Sequence, residues 1–179
     1  MSGPGLLLQI TKQTDGSALL RCIRPDGSTT WQKQQGDRAA FFPLHDLTHY
    51  AVETELGFRR GFYGLIAEGW DIADTTGKTA RGPLPEEALE VEYLVSAFSA
   101  EWNSPSGWSA ADFNDQARAF GATRKLPPPR SLTEEELARV RSRFKELCAR
   151  WRDLPQGETL RFEVPFPPQI VILSSSKDL

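Results

Sequence analysis

The chain has 179 residues, a length typical of one domain. Hydrophobic residues make up 39% of it and charged residues 25%, which predicts a packed core and excludes a largely disordered chain. No apolar run approaches the ~20 residues of a membrane-spanning helix, and Cys22 and Cys148 are too few for a disulfide framework. The start also lacks the basic n-region of a signal peptide, so we expect a cytoplasmic protein that binds no membrane.

The net charge of −3 divides unevenly along the chain. Residues 46–115 hold 13 acidic and 4 basic side chains, whereas residues 118–152 hold 10 basic and 4 acidic ones. A basic segment is a feature of nucleic-acid-binding proteins, but no nucleic-acid motif accompanies this one. We expect the two segments to complement each other within one fold, with no nucleic acid as a partner.

The N-terminal residues 5–34 have the pattern of a β-meander. Leu6, Leu8 and Ile10 alternate with polar residues, as in a half-buried strand. Asp15-Gly16 and Asp26-Gly27 separate this run from two more strand-like runs, and Asp-Gly is typical of hairpin turns.

Residues 43–154 are predicted to be helical. Five helices are indicated by apolar periodicity and by end signals such as Pro43 and Gly57. They cover about Pro43–Leu56, Arg59–Glu68, Pro85–Trp102, Ala110–Phe120 and a long helix from Glu134 to about Leu154.

The long helix has the clearest period in the chain. Ser131-Leu132-Thr133-Glu134 fits the capping-box pattern at its start. A stripe of apolar residues then steps by three and four: Leu137, Val140, Phe144, Leu147, Trp151 and Leu154. The stripe is too short for a stable coiled coil, so we expect this helix to pack on the sheet.

The C-terminal residues 158–165 return to a strand pattern. Leu160, Phe162 and Val164 alternate with polar residues, and Ile170–Leu173 would add an edge strand or a packed tail. The sequence therefore predicts an α+β fold over residues 1–179: a small antiparallel sheet, made of the N-terminal meander and a C-terminal strand, packed with about five helices.

The only two histidines lie four residues apart, in His45-Asp46-Leu47-Thr48-His49, and Glu53 follows four residues later. On a helix this spacing puts the three side chains on one face. Two imidazoles and a carboxylate suit zinc, iron or another first-row dication. Glu53 fits three roles, as a ligand, as the group that orients a histidine or as a general base, and we assign it as the catalytic residue.

The carboxylate that completes the site is predicted from the next helix. If Gly57-Phe58 makes a tight antiparallel turn, Glu68 falls opposite Leu47, between the histidines. The predicted metal ligands are therefore His45, His49 and Glu68.

The string His45-Asp46-Leu47-Thr48-His49 resembles the zinc motif of a family of ubiquinone-biosynthesis proteins, which pair HDxxH with a later Glu. The resemblance covers these five residues. That family is all-helical and has its Glu nearer to the motif than Glu68 is here, so its function is not carried over.

The sequence thus predicts a divalent-metal-binding protein, a small metal-dependent hydrolase or lyase in which a metal-bound water is the nucleophile. Metal affinity should weaken between about pH 7 and pH 5, with more than one proton lost per metal. Two alternatives without a metal are a non-catalytic protein-interaction domain and a binder of a small apolar ligand among Phe58, Phe62, Tyr63 and Trp70. The expected partner is a small molecule or a protein, and the expected state is a monomer or homodimer.

Overall fold

The computed structural model describes residues 5–123 and 127–165. Four antiparallel strands form one sheet in the order β3-β2-β1-β4. Their bounds are β1 Leu6–Lys12, β2 Ala18–Ile23, β3 Thr29–Gln34 and β4 Thr159–Val164. The meander and the returning C-terminal strand confirm the predicted sheet. The predicted segment Ile170–Leu173 lies outside the described residues.

Between the third strand and the fourth, the described residues form five α-helices and one 3₁₀-helix, which confirms the α+β fold. They are α1 Phe41–Leu56, α2 Phe62–Ala67, the 3₁₀-helix Ile72–Thr76, α3 Glu86–Trp102, α4 Ala110–Ala122 and α5 Glu134–Asp153. No helix in the described part of the chain is both long and apolar enough to cross a bilayer.

The start of α5 differs in detail from the sequence prediction. Thr133 caps the helix and Glu136 closes the capping box, not Ser131 and Glu134. The reason is that the Asn114 side chain holds the backbone of Leu132 in place, accepting from its N–H at 2.8 Å and donating to its carbonyl at 2.9 Å. The helix therefore begins just after this clamp.

The apolar stripe of α5 lies in the core for most of its length. Leu137, Val140, Phe144 and Leu147 are buried, whereas Trp151 is only partly buried. The closest neighbour of α5 is α1, which corrects the prediction that α5 packs on the sheet. Its C-terminal end contacts the sheet, where Lys12 of β1 donates to the carbonyl of Trp151 at 2.7 Å.

The acidic and basic segments meet at α5. Arg141 donates to Glu101 of α3 at 2.6 Å, and Arg143 donates to Glu55 of α1 at 2.9 Å. These ion pairs join α5 to α3 and α1. The uneven charge of the sequence is therefore balanced inside the fold.

We expect Leu137→Ala to destabilise the protein by roughly 2–5 kcal/mol, because it leaves a cavity in the core. Leu137 is fully buried. Trp151→Ala should cost less than removal of a fully buried Trp, since its ring is partly exposed already. Urea unfolding followed by circular dichroism measures both. Arg152→Ala, at a side chain that is 74% exposed, is the control, and a loss below about 1 kcal/mol for Leu137→Ala would contradict this packing.

Candidate metal centre

Two helices bring three potential metal ligands together. His45 and His49 project from successive turns of α1, and their ring centroids are 4.8 Å apart in an edge-to-face arrangement. Glu92 reaches them from α3. One ligand atom from each of His45, His49 and Glu92 lies within 4.8 Å of the others, so this group could hold a metal ion.

The pair His49–Glu92 already has a separation that a metal could bridge. Nε2 of His49 lies 3.3 Å from Oε1 of Glu92, and two ligands at ~2.1 Å from a tetrahedral ion are about 3.4 Å apart. Nδ1 of His45 is buried and has no hydrogen-bond partner among the described residues. A buried ring nitrogen without a hydrogen-bond partner costs free energy. Packing alone therefore does not explain why a histidine stands at position 45.

Glu53 holds His49 from the opposite side. Its Oε1 lies 3.3 Å from Nδ1 of His49, and its Oε2 accepts the N–H of Tyr63 at 3.0 Å and that of Gly64 at 3.4 Å. A carboxylate on one ring nitrogen fixes the ring and directs the other nitrogen toward the metal side. A Cβ on Gly61 would lie 2.5 Å from Cδ of Glu53, so glycine at this position makes room for the carboxylate.

Glu68, the third predicted ligand, lies elsewhere. The connection from α1 to α2 runs through residues 57–61 instead of a two-residue turn, and α2 has only six residues. The register that placed Glu68 between the histidines is therefore not formed. The Glu68 carboxylate instead accepts from Arg60, at 2.9 Å and 3.0 Å, and the carboxylate at the histidines is that of Glu92.

Glu92 was missed because nothing local in the sequence distinguishes it. It is one of several acids on α3; Glu90, for example, accepts the backbone N–H of Arg130 at 2.8 Å. Only the packing of α3 against α1 decides which of these acids faces the histidines. The apolar stripe of α3 was predicted, and it indicates which side of α3 is buried but not which helix covers that side.

The charge states of the two histidines differ sharply. Burial lowers the pKa of His49, but the charge of Glu92 and hydrogen bonds to Glu53 and Glu92 outweigh burial and raise it to about 10. Burial and the neighbouring His49 lower the pKa of His45 to about 4. His45 is therefore already neutral at pH 7, which corrects the expectation that both histidines shed a proton when a metal binds.

A cavity of about 380 Å³ opens beside the three ligands. Its apolar walls include Trp31, Phe42, Phe62 and Ile72, and its polar walls include Gln32, Gln34, Thr75 and Thr76. Asp46 also lines it and accepts a hydrogen bond from Nε2 of Gln34, while burial raises the Asp46 pKa to about 7. Glu53 is not among the lining residues, and burial raises the pKa of its carboxyl group as well.

No protein-family model, curated protein or solved structure matches this chain. The chemistry of the site is therefore derived from its own residues. Two imidazoles and a carboxylate lie at the edge of a cavity with room for a small molecule, and a second carboxylate fixes one of the imidazoles. This set is one that divalent transition metals bind.

We expect the free energy of unfolding of the metal-free protein to fall as the pH rises from 7 to 9. Folded His49, with a pKa of about 10, keeps a proton that an unfolded histidine, with a pKa of ~6.5, has lost. The stabilisation that the His49 proton provides is fully present below the unfolded-state pKa of ~6.5. Above it, this stabilisation declines by up to about 1.4 kcal/mol per pH unit until the pH reaches the folded-state pKa. Urea unfolding at pH 7, 8 and 9 with a chelator present measures the slope.

The matched controls are His49→Gln and His45→Gln. The first should remove the His49 part of this slope, whereas the second should keep it, because His45 is neutral in the folded protein across this range. A flat pH profile in the unmodified protein, or equal slopes in the two variants, would contradict the charged state of His49.

Proposed function

We propose that this protein binds one divalent transition metal through His45, His49 and Glu92 and uses it in a hydrolase or lyase reaction. The observation that carries the proposal is the meeting of these three ligand atoms within 4.8 Å at the wall of an open cavity. A purely structural ion pair would need neither a second histidine with a buried, unsatisfied ring nitrogen nor the cavity.

Charge balance supports a metal in this position. In the metal-free protein one histidine cation faces two carboxylates, Glu53 and Glu92. A dication that replaces the proton on Nε2 of His49 would leave the imidazole neutral. The net charge of the ion, Glu53 and Glu92 together would then be zero. Nδ1–H of His49 would still donate to Glu53, so the orientation of the ring would not change.

Zinc and ferrous iron are the ions that this ligand set favours. Either one lowers the pKa of a bound water and polarises an oxygen of a substrate. Three protein ligands leave a position open for such groups, and the cavity beside the histidines provides the access.

Two carboxylates have different proposed roles. Asp46 lines the cavity, and we assign it as the group that takes a proton from water or substrate. Glu53 is enclosed by His49 and by the backbone of Tyr63 and Gly64. We therefore assign Glu53 as the positioning residue for His49, a role that sequence reasoning held open beside that of general base.

Calorimetric titration of the chelator-treated protein with Zn²⁺ tests the proposal. We expect one ion per chain, with about one proton released near pH 7.5, because His49 loses a proton and His45 has none to lose. Repeating the titration in buffers of different ionisation enthalpy gives the proton count. Unchanged binding in the His45→Ala, His49→Ala double variant, or no binding at all, would refute the site.

Three single-carboxylate variants show which carboxylate binds the metal. Glu92→Gln should weaken zinc binding most, whereas Glu68→Gln, the same change at the exposed ion pair, should leave it intact. Glu53→Gln should weaken it by about 10–100-fold, as loss of the carboxylate that orients a ligand does. Equal affinities of the Glu92 and Glu68 variants would show that the assignment of Glu92 is wrong.

A further inference from the structure

The strand next to the cavity is an edge strand. β3 pairs with β2 on one side, and within residues 5–123 and 127–165 no strand pairs with its other side. The 3₁₀-helix packs near β3, where the backbone N–H of Ile72 donates to Oγ1 of Thr30, a side-chain atom, at 3.1 Å. The middle of β3 therefore presents its free backbone groups beside the candidate metal centre.

The pairing pattern shows which backbone groups point outward. The N–H of Arg24 donates to the carbonyl of Ser28 at 2.9 Å, so these opposite residues form a hydrogen-bonded pair. Such pairs alternate along an antiparallel ladder. Given the register of β2 and β3, the residues of β3 that bond to β2 are Thr30, Gln32 and Gln34. The N–H and carbonyl groups of Thr29, Trp31 and Lys33 therefore face away from the sheet.

Trp31 connects this edge to the cavity. The residue is 64% exposed, more than any other large hydrophobic residue of the described chain, and it is among the residues that line the cavity with His45, His49 and Glu92. Gln32 and Gln34 of the same strand line that cavity too. A peptide laid along this edge would cover the apolar surface of Trp31 and remove it from water.

We propose that an extended peptide segment pairs with the outer edge of β3 and is hydrolysed at the metal centre. This substrate assignment rests on the proposed function. Strand addition would supply main-chain hydrogen bonds at Trp31, and the cavity would receive an alternate side chain of the peptide. The amide that follows the paired residue would then lie beside the histidines and Glu92.

The cavity chemistry favours a neutral amide over a phosphate ester. None of the described residues that line the cavity is Lys or Arg, whereas Asp46 and Glu92 both do so. A phosphate group would meet these carboxylates without a cationic side chain to balance it. The amide side chains of Gln32 and Gln34 and the aromatic rings suit a peptide backbone and an apolar side chain.

The reaction consumes one water and needs no other co-reactant. The oxygen of water forms a bond with the carbonyl carbon of the peptide, and the C–N bond then breaks. Both protons of the water end on the leaving nitrogen, with Asp46, which lines the cavity, as the proposed carrier, and the products are a carboxylate and an ammonium group.

The experiment uses the full chain loaded with Zn²⁺ and an equimolar set of capped decapeptides that differ at their central residue. Mass spectrometry detects cleavage, and hydrogen–deuterium exchange detects binding at the edge. We expect the peptides to be cleaved and to slow exchange of the Trp31 amide. p-Nitrophenyl phosphate, assayed alongside, should not be hydrolysed.

Trp31→Pro and Trp31→Ala form the matched pair. Both lose the ring, but only the proline variant loses the outward N–H, and proline is tolerated at such an edge position. We expect kcat/KM for peptides to be about 5–10-fold lower in the proline variant than in the alanine variant, the value of one hydrogen bond. Zinc affinity should be the same in both variants.

The outcomes separate this inference from the proposed function. Peptide binding at β3 is refuted, while the metal site stands, if zinc binds but peptides are not cleaved and do not slow exchange of the Trp31 amide. Equal kcat/KM values for peptides in the two Trp31 variants would refute it as well. Hydrolysis of the phosphate ester alone would also refute it. If zinc fails to bind the unmodified protein, the proposed function itself is wrong. Exchange at the Trp31 amide of the unmodified protein remains decisive even if the proline variant does not fold.

Discussion

A histidine cation enclosed by two carboxylates is the interaction on which this site depends. His49 and Glu53 are each only 2% exposed, and removing such charges from water costs several kcal/mol per ion unless they are paired. Hydrogen bonds from the backbone of α2 to Glu53 offset part of that cost, and the ion pair of His49 with Glu92 of α3 offsets another part. Three helices are therefore positioned around one imidazole ring.

The rest of the fold supports this arrangement. α5 packs against α1 and is tied by Arg141 and Arg143 to α3 and α1, the two helices that carry the ligands. The sheet contributes β3, whose Gln34 reaches Asp46 next to the first histidine. A cavity thus forms where the edge of the sheet meets two helices.

Local signals in the sequence predict most of the fold and two of the three proposed metal ligands. The alternation of Leu6, Leu8 and Ile10 and the Asp-Gly turns determine the meander, and the spacing of His45 and His49 determines their shared face. Glu68 and Glu92 could not be distinguished in this way, because their distances from the histidines depend on the length of a turn and on the pairing of helices distant in sequence. Glu53 was found but its role was open, since only the folded chain shows the backbone amides that enclose it.

X-ray absorption of the zinc-loaded protein tests the central claim most directly. The account predicts a first shell of two imidazole nitrogens at ~2.0–2.1 Å with oxygen ligands at about 2.0–2.2 Å, and one imidazole fewer in His49→Ala. A shell without imidazole scattering, or a spectrum unchanged by removal of His49, would contradict it.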